Sequence, residues 1–402
     1  MDQSFSKYFK GDRVIWYILL LLSVLSLLIV YSATGALAYR EHSGNTMYYL
    51  VRQIFFIAAG IGVIVLMINI IPVKMYSMVA NLLLYGSIAL LLLAMALKFA
   101  GLIKGTGRTI PLGPLSFQPA EVAKIALIIF TAKVLSKKQK TSHDLKVAFF
   151  KIMTFTAIVC GIILLSNFST SALIFATIIT MMFVGRIPIR YMLLVFAAGI
   201  GLVVLIYFTA DFLPEKIGRI HTIKGRIERF IHGDPNSETG VTQADYAKLA
   251  IYSGGIIGKG PGRSDVSNYM AAAYNDFIFA IIIEEYGLIF GIGVIFLYLI
   301  LFFRGIIIVR RSKRTFPAFM VIGLTVVLVY QAMINIGVSS GALPVTGQPL
   351  PWISLGGTSL LFTSIAFGCI LSVSYLNEVD QAEQEQPVQV NIPDEDEEMK
   401  KQ

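Results

Sequence analysis

Long apolar runs recur along almost the whole chain, and this pattern constrains the fold more than any other feature. A membrane-spanning helix needs about 20 mostly apolar residues. Ten runs are candidates: residues 14–36, 48–71, 76–99, 119–136, 146–165, 169–186, 190–212, 275–303, 316–340 and 354–376. Only 14% of the residues are charged, far fewer than in a soluble domain. The sequence therefore predicts an all-α, polytopic membrane protein with ten transmembrane helices.

Basic residues in the short loops predict the orientation of these helices. Clusters precede the first helix and follow the fourth, sixth and eighth; they include Lys7, Lys10, Arg13, Lys137, Lys138, Arg186, Arg190, Arg310 and Arg311. Cytoplasmic loops are enriched in Lys and Arg, so both termini are predicted to be cytoplasmic. Residues 213–274, between helices seven and eight, then form a large extracytoplasmic loop, on the same side as residues 98–118.

The charge distribution divides the chain into a membrane domain, residues 1–376, and a tail, residues 377–402. The tail carries nine acids and two lysines and has no aromatic residue, so it is predicted to be disordered and cytoplasmic. The formal net charge is +9, and membrane topology explains the basic excess better than nucleic acid does. Cys160 and Cys369 both lie in apolar runs and are predicted to pack in the core.

A Gly- and Pro-rich segment, residues 105–124, leads into the fourth predicted helix. Glu121 and Lys124 are spaced i, i+3 there and share a helix face. They could be a helix-start carboxylate and a snorkelling lysine. Alternatively, they form a charged pair that lines a substrate cavity.

The large loop contains the glycine-rich run GGIIGKGPGRS, residues 254–264. Lys259 is followed by Gly260 rather than Ser or Thr, so the run does not match the phosphate-binding loop of nucleotide-binding proteins. Position 263 is Arg, so the run does not match the dinucleotide-binding motif GxGxxG either. Such a run can still bind an anion through backbone N–H groups, or it can be a surface turn. Arg226 and Arg229, upstream, share a face if that stretch is helical.

Three acidic residues lie at the start of the eighth predicted helix. Asp276 stands where the long loop meets the apolar run, and Glu284 and Glu285 follow about two turns later. Carboxylates at membrane depth are costly and need a pairing or functional reason, with Lys124 or an arginine as candidate partners. A purely structural alternative is that Asp276 caps the N-terminus of the helix.

Residues 335–359 interrupt an apolar region with three prolines and several glycines. Irregular backbone at membrane depth persists only where it packs in protein or lines a cavity. We predict a re-entrant or surface-dipping loop with Trp352 at the membrane interface. The four histidines have no ligand-like spacing, so no dedicated metal site is visible.

These segments resemble the FtsW/RodA/SpoVE (SEDS) family of bacterial shape, elongation, division and sporulation proteins, and the division member most of all. The resemblance covers roughly residues 12–376. Its most specific part is the C-terminal signature: Asn335, GALPVTG at 341–347 and PLPWISLGGTS at 349–359. GPLSFQPAEVAK at 113–124 and DFIFAIIIEEYGL at 276–288 support it.

The chain departs from the family pattern at several positions. Gln348 and Leu355 replace the usual aliphatic and tyrosine of the signature, and Arg108 lacks the tryptophan that usually follows nearby. The stretches before Asp276 and before the sixth helix read AAAY and SNFST where the family has Pro-Glu-x-His and Pro-Asp-x-Gly-Thr. Asp276, Lys124, Glu121 and Gln243 remain in place.

The resemblance implies a peptidoglycan glycosyltransferase that polymerises lipid II at the outer face of the cytoplasmic membrane and releases undecaprenyl pyrophosphate, with the division septum as the expected location. It implies Asp276 as the catalytic base. Further candidate substrate-binding residues are Lys124, Glu121, Arg108, Arg226, Arg229, Gln243, Lys259, Ser264 and Glu285. No cofactor is required by the sequence, although Mg²⁺ or Mn²⁺ could assist the leaving group.

The expected partners are lipid II, membrane lipid, a class B penicillin-binding protein and other membrane proteins of the division or elongation complex. Three alternatives stay open. The chain could be the elongation (RodA-like) or sporulation (SpoVE-like) polymerase. It could transport lipid II as a flippase. It could also be a divisome scaffold in which Asp276 only caps a helix.

Overall fold

The protein is mostly helical, as seen in a computed structural model that describes residues 8–41, 43–102, 109–112, 115–139, 141–209, 225, 228, 242–270 and 273–385. The helices are α1 (Arg13–Ala33), α2 (Gly35–Glu41), α3 (Thr46–Ile70), α4 (Val73–Phe99), α5 (Pro119–Lys137), α6 (Ser142–Leu164), α7 (Phe168–Val184), α8 (Ile189–Thr209), α9 (Gln243–Gly254), α10 (Ile278–Arg311), α11 (Thr315–Ser339) and α12 (Thr358–Glu385).

Among the described residues, seven helices are long and apolar enough to cross a membrane: α1, α3, α4, α6, α10, α11 and α12. Two shorter apolar helices lie at Phe168–Val184 and Ile189–Gly201. Every predicted span thus falls on a helix. Helix α5 is not among the seven apolar helices because it carries four charged residues. A multi-pass membrane protein is confirmed, while the count of ten spans stays a prediction.

The helical pattern is interrupted at one place, where a short antiparallel hairpin precedes α5. Its strands are β1 (Ile110–Leu112) and β2 (Leu115–Phe117), with Ile110 opposite Phe117. The intervening sequence Gly113-Pro114 favours a turn. This hairpin contacts α12, because the Thr358 hydroxyl donates to the Ser116 carbonyl oxygen at 2.5 Å.

Helix α5 lies at the centre of the molecule and packs against α4, α6, α7 and α11. Most of its residues are buried, on every face, so its apolar surface is covered by protein rather than by lipid. Burial extends to its first two charged residues, Glu121 and Lys124.

Helix α10 is broken near its start by Gly287, which has φ +85° and ψ 170°. A Cβ at this position would overlap the Ile256 carbonyl oxygen, so only glycine fits. The break lets residues 255–260 run antiparallel to residues 284–289: Gly255 accepts from the Leu288 amide at 3.0 Å, and the Lys259 amide donates to Glu284 at 2.9 Å. The buried half-helix, residues 278–286, precedes the break.

Two predictions about the C-terminal region are wrong. Trp352 is only 2% exposed, so it packs inside the protein and does not face lipid head groups. Its indole N–H donates to the Ser23 hydroxyl at 2.8 Å, and its ring meets Phe367 edge to face.

Helix α12 continues to Glu385, so residues 377–385 are helical rather than part of the predicted disordered tail. The Asn377 amide donates to the Ile308 carbonyl oxygen at 2.9 Å. The rest of the predicted tail lies outside the described residues. Both cysteines are free and buried, as predicted.

Candidate active site

Asp276 lies just before the half-helix of α10, at the wall of a polar cavity of about 280 Å³. The residues from Phe277 to Glu285 are buried without a break, so the half-helix is held by protein on all sides. The helix N-cap is Phe277, which makes no side-chain capping bond. Asp276 therefore stands one residue ahead of the N-cap position.

Six separate segments of the chain contribute to the cavity wall. They are α3, the β1–β2 hairpin with the start of α5, the start of α7, the residues before α10, the signature loop between α11 and α12, and the first turn of α12. The polar side chains among them are Arg52, Thr109, Ser116, Gln118, Glu121, Asn167, Thr170, Asn275, Asp276, Gln348, Thr358 and Ser359. The cavity can therefore hydrogen-bond a polar ligand from several directions.

Glu121 brings a second carboxylate to this cavity. Its Oε2 lies 2.6 Å from Lys124 Nζ, and both side chains are less than 10% exposed. Lys124 also donates to Gln331 Oε1 at 3.1 Å, and Gln331 in turn donates to the Pro349 carbonyl oxygen at 3.0 Å. Glu121 thus lines the cavity, whereas Lys124 lies behind it and is too buried to snorkel to water. That the pair binds substrate stays a prediction.

Arg52 is a cavity residue that the sequence analysis missed. It lies on α3, and its guanidinium carbon is 5.8 Å from the Phe56 ring centroid. A Cβ added at Gly357 would be 3.5 Å from Arg52 Nη2, so glycine leaves room for the guanidinium there. The signal was present, because Arg52 is a charge inside a predicted span and such residues are costly unless they serve a site.

Asn335 joins the signature loop to the residues around Asp276. Its Nδ2 lies 2.8 Å from the Gln348 carbonyl oxygen and 3.2 Å from the carbonyl oxygens of both Asn275 and Asp276. The Ser354 hydroxyl also donates to Asn275 O, at 3.1 Å, and the Leu355 amide donates to Tyr274 O. The backbone on either side of Asp276 is thus held by side chains and main chain of the signature region.

Negative charge around Asp276 affects its neighbour Tyr274. Burial, followed by the charges of Glu41 and Asp276, raises the pKa of the Tyr274 phenol above its ordinary value. The rise favours the neutral, protonated phenol of Tyr274. It occupies a position where the family pattern has histidine.

A family model described as "Cell cycle protein", for FtsW, RodA and SpoVE, matches residues 12–378. The chain belongs to the FtsW/RodA/SpoVE family. It is 33% identical over 370 residues to the probable peptidoglycan glycosyltransferase FtsW of Geobacter metallireducens, covering 91% of this chain and 95% of that protein. The corresponding protein of Saccharophagus degradans is 31% identical over 351 residues, with 86% and 87% covered.

Two solved structures share the fold of this FtsW/RodA/SpoVE family chain. One, from work on polymerization and crosslinking by a peptidoglycan synthase complex, aligns with a TM-score of 0.71 at 23% identity, over 91% of this chain and 98% of its own. The other is RodA of Thermus thermophilus, with a TM-score of 0.62 at 22% identity, over 90% and 96%. The predicted membership of the family, and its likeness to FtsW, are confirmed.

The glycine-rich run of this family member binds a carboxylate of its own chain. Glu284, which is fully buried, accepts hydrogen bonds from Lys259 Nζ at 2.9 Å, Ser264 Oγ at 2.5 Å and the Asp265 amide at 3.1 Å. We refer to these four residues as the Glu284 clasp. The run is therefore a clasp for the half-helix, and Lys259 rather than Lys124 pairs with Glu284.

The other predicted substrate-binding residues lie apart from the cavity or outside the described residues. Gln243 is exposed at the start of α9, and Glu285 is buried where the Ser32 hydroxyl donates to it. Neither they nor Lys259 and Ser264 line the cavity with Asp276. Arg108, Arg226 and Arg229 lie outside the residues that the structure describes. The roles of all seven in binding substrate stay predictions.

Proposed function

We propose that the chain is a peptidoglycan glycosyltransferase that polymerises lipid II into glycan strands and releases undecaprenyl pyrophosphate, in septal wall synthesis during cell division. The observation that carries the proposal is the polar cavity in which Asp276 shares a wall with Glu121 and Arg52. The family relatives named probable peptidoglycan glycosyltransferase FtsW support the same reaction.

Asp276 acts as the general base in this mechanism. Its carboxylate accepts the proton of an acceptor sugar 4-hydroxyl, whose oxygen forms a bond to the anomeric carbon of the donor. The bond from that carbon to the diphosphate oxygen breaks, and its electron pair leaves with undecaprenyl pyrophosphate. The cavity fits this role, because it is lined by hydroxyl and amide groups that can orient sugar hydroxyls.

Cations near the cavity stabilise the leaving diphosphate. Arg52 lines the wall, and a guanidinium matches phosphate geometry with paired N–H donors. Lys124 acts from behind Glu121, which holds its ammonium group in a buried position. Arg108, Arg226 and Arg229 remain candidates for the same task.

The cavity also suits a divalent cation such as Mg²⁺ or Mn²⁺. These ions prefer carboxylate, amide and hydroxyl oxygens, and Asp276, Glu121 and Asn167 line one cavity with such donors. Among the described residues, no group of three His, Cys, Asp or Glu is arranged to hold a metal. A cation bound there would neutralise diphosphate charge, and the substrate itself would have to complete its ligands.

An apolar cavity of about 230 Å³ offers a path for the polyprenyl chain. It is lined by α3, α4, α5 and α12, and Val122 and Ile125 of α5 reach it from the same helix that carries Glu121. A lipid substrate could thus keep its tail among apolar side chains while its head group meets the polar cavity.

The topology that fits this function has ten spans, both termini in the cytoplasm and Asp276 on the outer side of the bacterial cytoplasmic membrane. Lipid-anchored substrates lie at that surface. A class B penicillin-binding protein would crosslink the product, and the fold shared with a chain from a peptidoglycan synthase complex is consistent with such a partner.

The decisive experiment compares lipid II polymerisation by the wild type and by Asp276→Asn, each purified with its class B partner. Asp276→Asn should make no glycan while staying folded, because the amide is nearly isosteric but cannot accept the proton. Asp144→Asn, the same change at the start of α6, should polymerise as the wild type does. Equal product from wild type and Asp276→Asn would remove Asp276 from catalysis. Lipid II movement without polymerisation by the wild type would favour the flippase alternative.

A further inference from the structure

Ten residues without charge, 249–258, separate Lys248 from Lys259 in a segment predicted to be extracytoplasmic loop. They form the last turns of α9 and a tight return, in which Gly255 has φ +57° and Gly258 has φ +87°. The segment is thus a hairpin bounded by one lysine at each end.

The hairpin exposes large apolar side chains along one edge. Tyr252 is 85%, Ile256 65% and Ile257 83% exposed, and Leu249 is half exposed. Several large apolar side chains exposed within one short segment indicate a site of contact with protein or membrane. We call these four residues the apolar edge.

Backbone hydrogen bonds fix the depth of the apolar edge relative to α10. The Ile289 amide donates to the Ile256 carbonyl oxygen at 3.4 Å, one step beyond the bond between Leu288 and Gly255. Leu288 and Ile289 are themselves exposed on a candidate membrane span whose apolar window is only 28% buried. The apolar edge is therefore continuous with the lipid-facing surface of α10 and lies at the same level.

Charged and aromatic groups border this edge as they do at membrane surfaces. Lys248 pairs with Asp245 at 3.3 Å, and Lys259 pairs with Asp265 at 2.9 Å. Tyr246, which follows Asp245 in the chain, stacks on Tyr269 with ring centroids 5.4 Å apart. Lysines and tyrosines at such borders keep their polar ends at the head-group level.

We propose that residues 249–258 form a re-entrant hairpin whose apolar edge inserts among the lipid acyl chains of the leaflet on the Asp276 side. The acyl chains are the occupant because the edge continues the lipid-facing surface of α10 and carries no charge of its own. The return segment of this hairpin runs directly into the Glu284 clasp, so the membrane surface and the half-helix that follows Asp276 share one structural support.

Nitroxide labels on the full-length protein, reconstituted in phosphatidylethanolamine and phosphatidylglycerol vesicles with no other protein, test the proposal. Tyr252→Cys and Ile257→Cys are labelled separately, so that the proposal can still be tested if only one of the two variants folds. Oxygen concentrates among acyl chains, whereas a nickel chelate stays in water. Tyr269→Cys, in the same segment but beyond Lys259 and 66% exposed, is the matched control. Both native cysteines are buried, and the unsubstituted chain reports background labelling.

The ratio of oxygen to nickel collision rates should be several-fold higher at the two edge positions than at Tyr269. Tyr269 serves as the head-group-level reference, so a ratio no higher than that of Tyr269 would mean that the edge does not enter the acyl chains and would overturn the proposal. Labels shielded from both reagents would also overturn it, since another protein surface, such as a second copy of the chain, would then cover the edge.

Discussion

The side-chain amide nitrogen of Asn335 lies 3.2 Å from the main-chain carbonyl oxygen of Asp276 and 2.8 Å from that of Gln348. One buried amide on α11 therefore fixes the distance between the candidate catalytic residue and the signature loop. Because both contacts are to backbone, they set the position of Asp276 without changing the charge of its carboxylate.

Substituting Asn335 by Ala should reduce glycan synthesis far more than it reduces folding. Leaving buried carbonyl groups without a donor costs about 1–3 kcal/mol, and a shift of about 1 Å at a reacting group can cost roughly 100-fold in rate. The measurement is polymerisation rate alongside thermal unfolding in detergent. Asn69→Ala, which removes an exposed amide on α3, serves as the control. Unchanged polymerisation by a folded Asn335→Ala variant would contradict a positioning role.

Removing the ammonium of Lys124 alone should destabilise the protein strongly. Lys124→Met leaves Glu121 buried without its partner, and breaking a buried ion pair in this way costs about 3–5 kcal/mol. The double variant Glu121→Gln with Lys124→Met should recover much of this stability but not polymerisation. Thermal unfolding of the two single variants and the double variant measures the coupling. Additive losses would mean that the two side chains do not stabilise each other.

Gly287→Ala should prevent correct folding of the region around the half-helix. The new Cβ would overlap the backbone of residues 256–257, and φ is +85°, where residues other than glycine are strained. Gly293→Ala, in the same helix, has nothing within 4 Å of the added Cβ and should be neutral or slightly stabilising. Detergent-solubilised yield and melting temperature distinguish the two. A Gly287→Ala protein as stable as the wild type would contradict the close backbone pairing.

The Glu284 clasp should weaken at high pH. Burial tends to lower the pKa of Lys259, but the hydrogen bonds that its ammonium donates to Asp265 and Glu284 outweigh this effect, and the pKa rises above the ordinary value of 10.5. A raised pKa in the folded state means that Lys259 contributes its full stability below about pH 10.5 and loses it as the pH rises through the folded-state pKa. Comparing the melting temperature of wild type and Lys259→Met from pH 8 to 11.5 isolates this lysine. The difference between them should shrink at the alkaline end; a constant difference would contradict it.

Composition and local spacing were enough to predict the membrane helices. They were also enough to single out Asp276 and Glu121, which line the polar cavity, because charges at or inside apolar runs are visible in the sequence alone. The i, i+3 spacing of Glu121 and Lys124 also predicted their contact. Arg52 was equally visible but stood alone, without a motif around it. Nothing in its neighbourhood indicated that α3 would bring it to the cavity.

Contacts between distant segments could not be read from local pattern. Trp352 was assigned to the membrane interface because tryptophan is enriched there. Its hydrogen-bond partner, Ser23, instead lies on the first helix, far away in the sequence. The pairing of residues 255–260 with residues 284–289 likewise depends on a glycine break that looks, in sequence, like an ordinary residue of an apolar helix. Lys259 and Ser264 were therefore assigned to substrate rather than to Glu284.

The central position of α5 has a consequence for how the chain enters the membrane during synthesis. A charged residue at the middle of an inserting helix costs about 2.5–3.5 kcal/mol, and α5 carries Glu121, Lys124, Lys133 and Lys137. Entering the bilayer alone, it would be retained poorly by the insertion machinery. Helix α4, which is apolar and packs along α5, is made first and can shelter it. The two helices are therefore expected to leave the translocon as a pair, with the ion pair of the candidate site already closed.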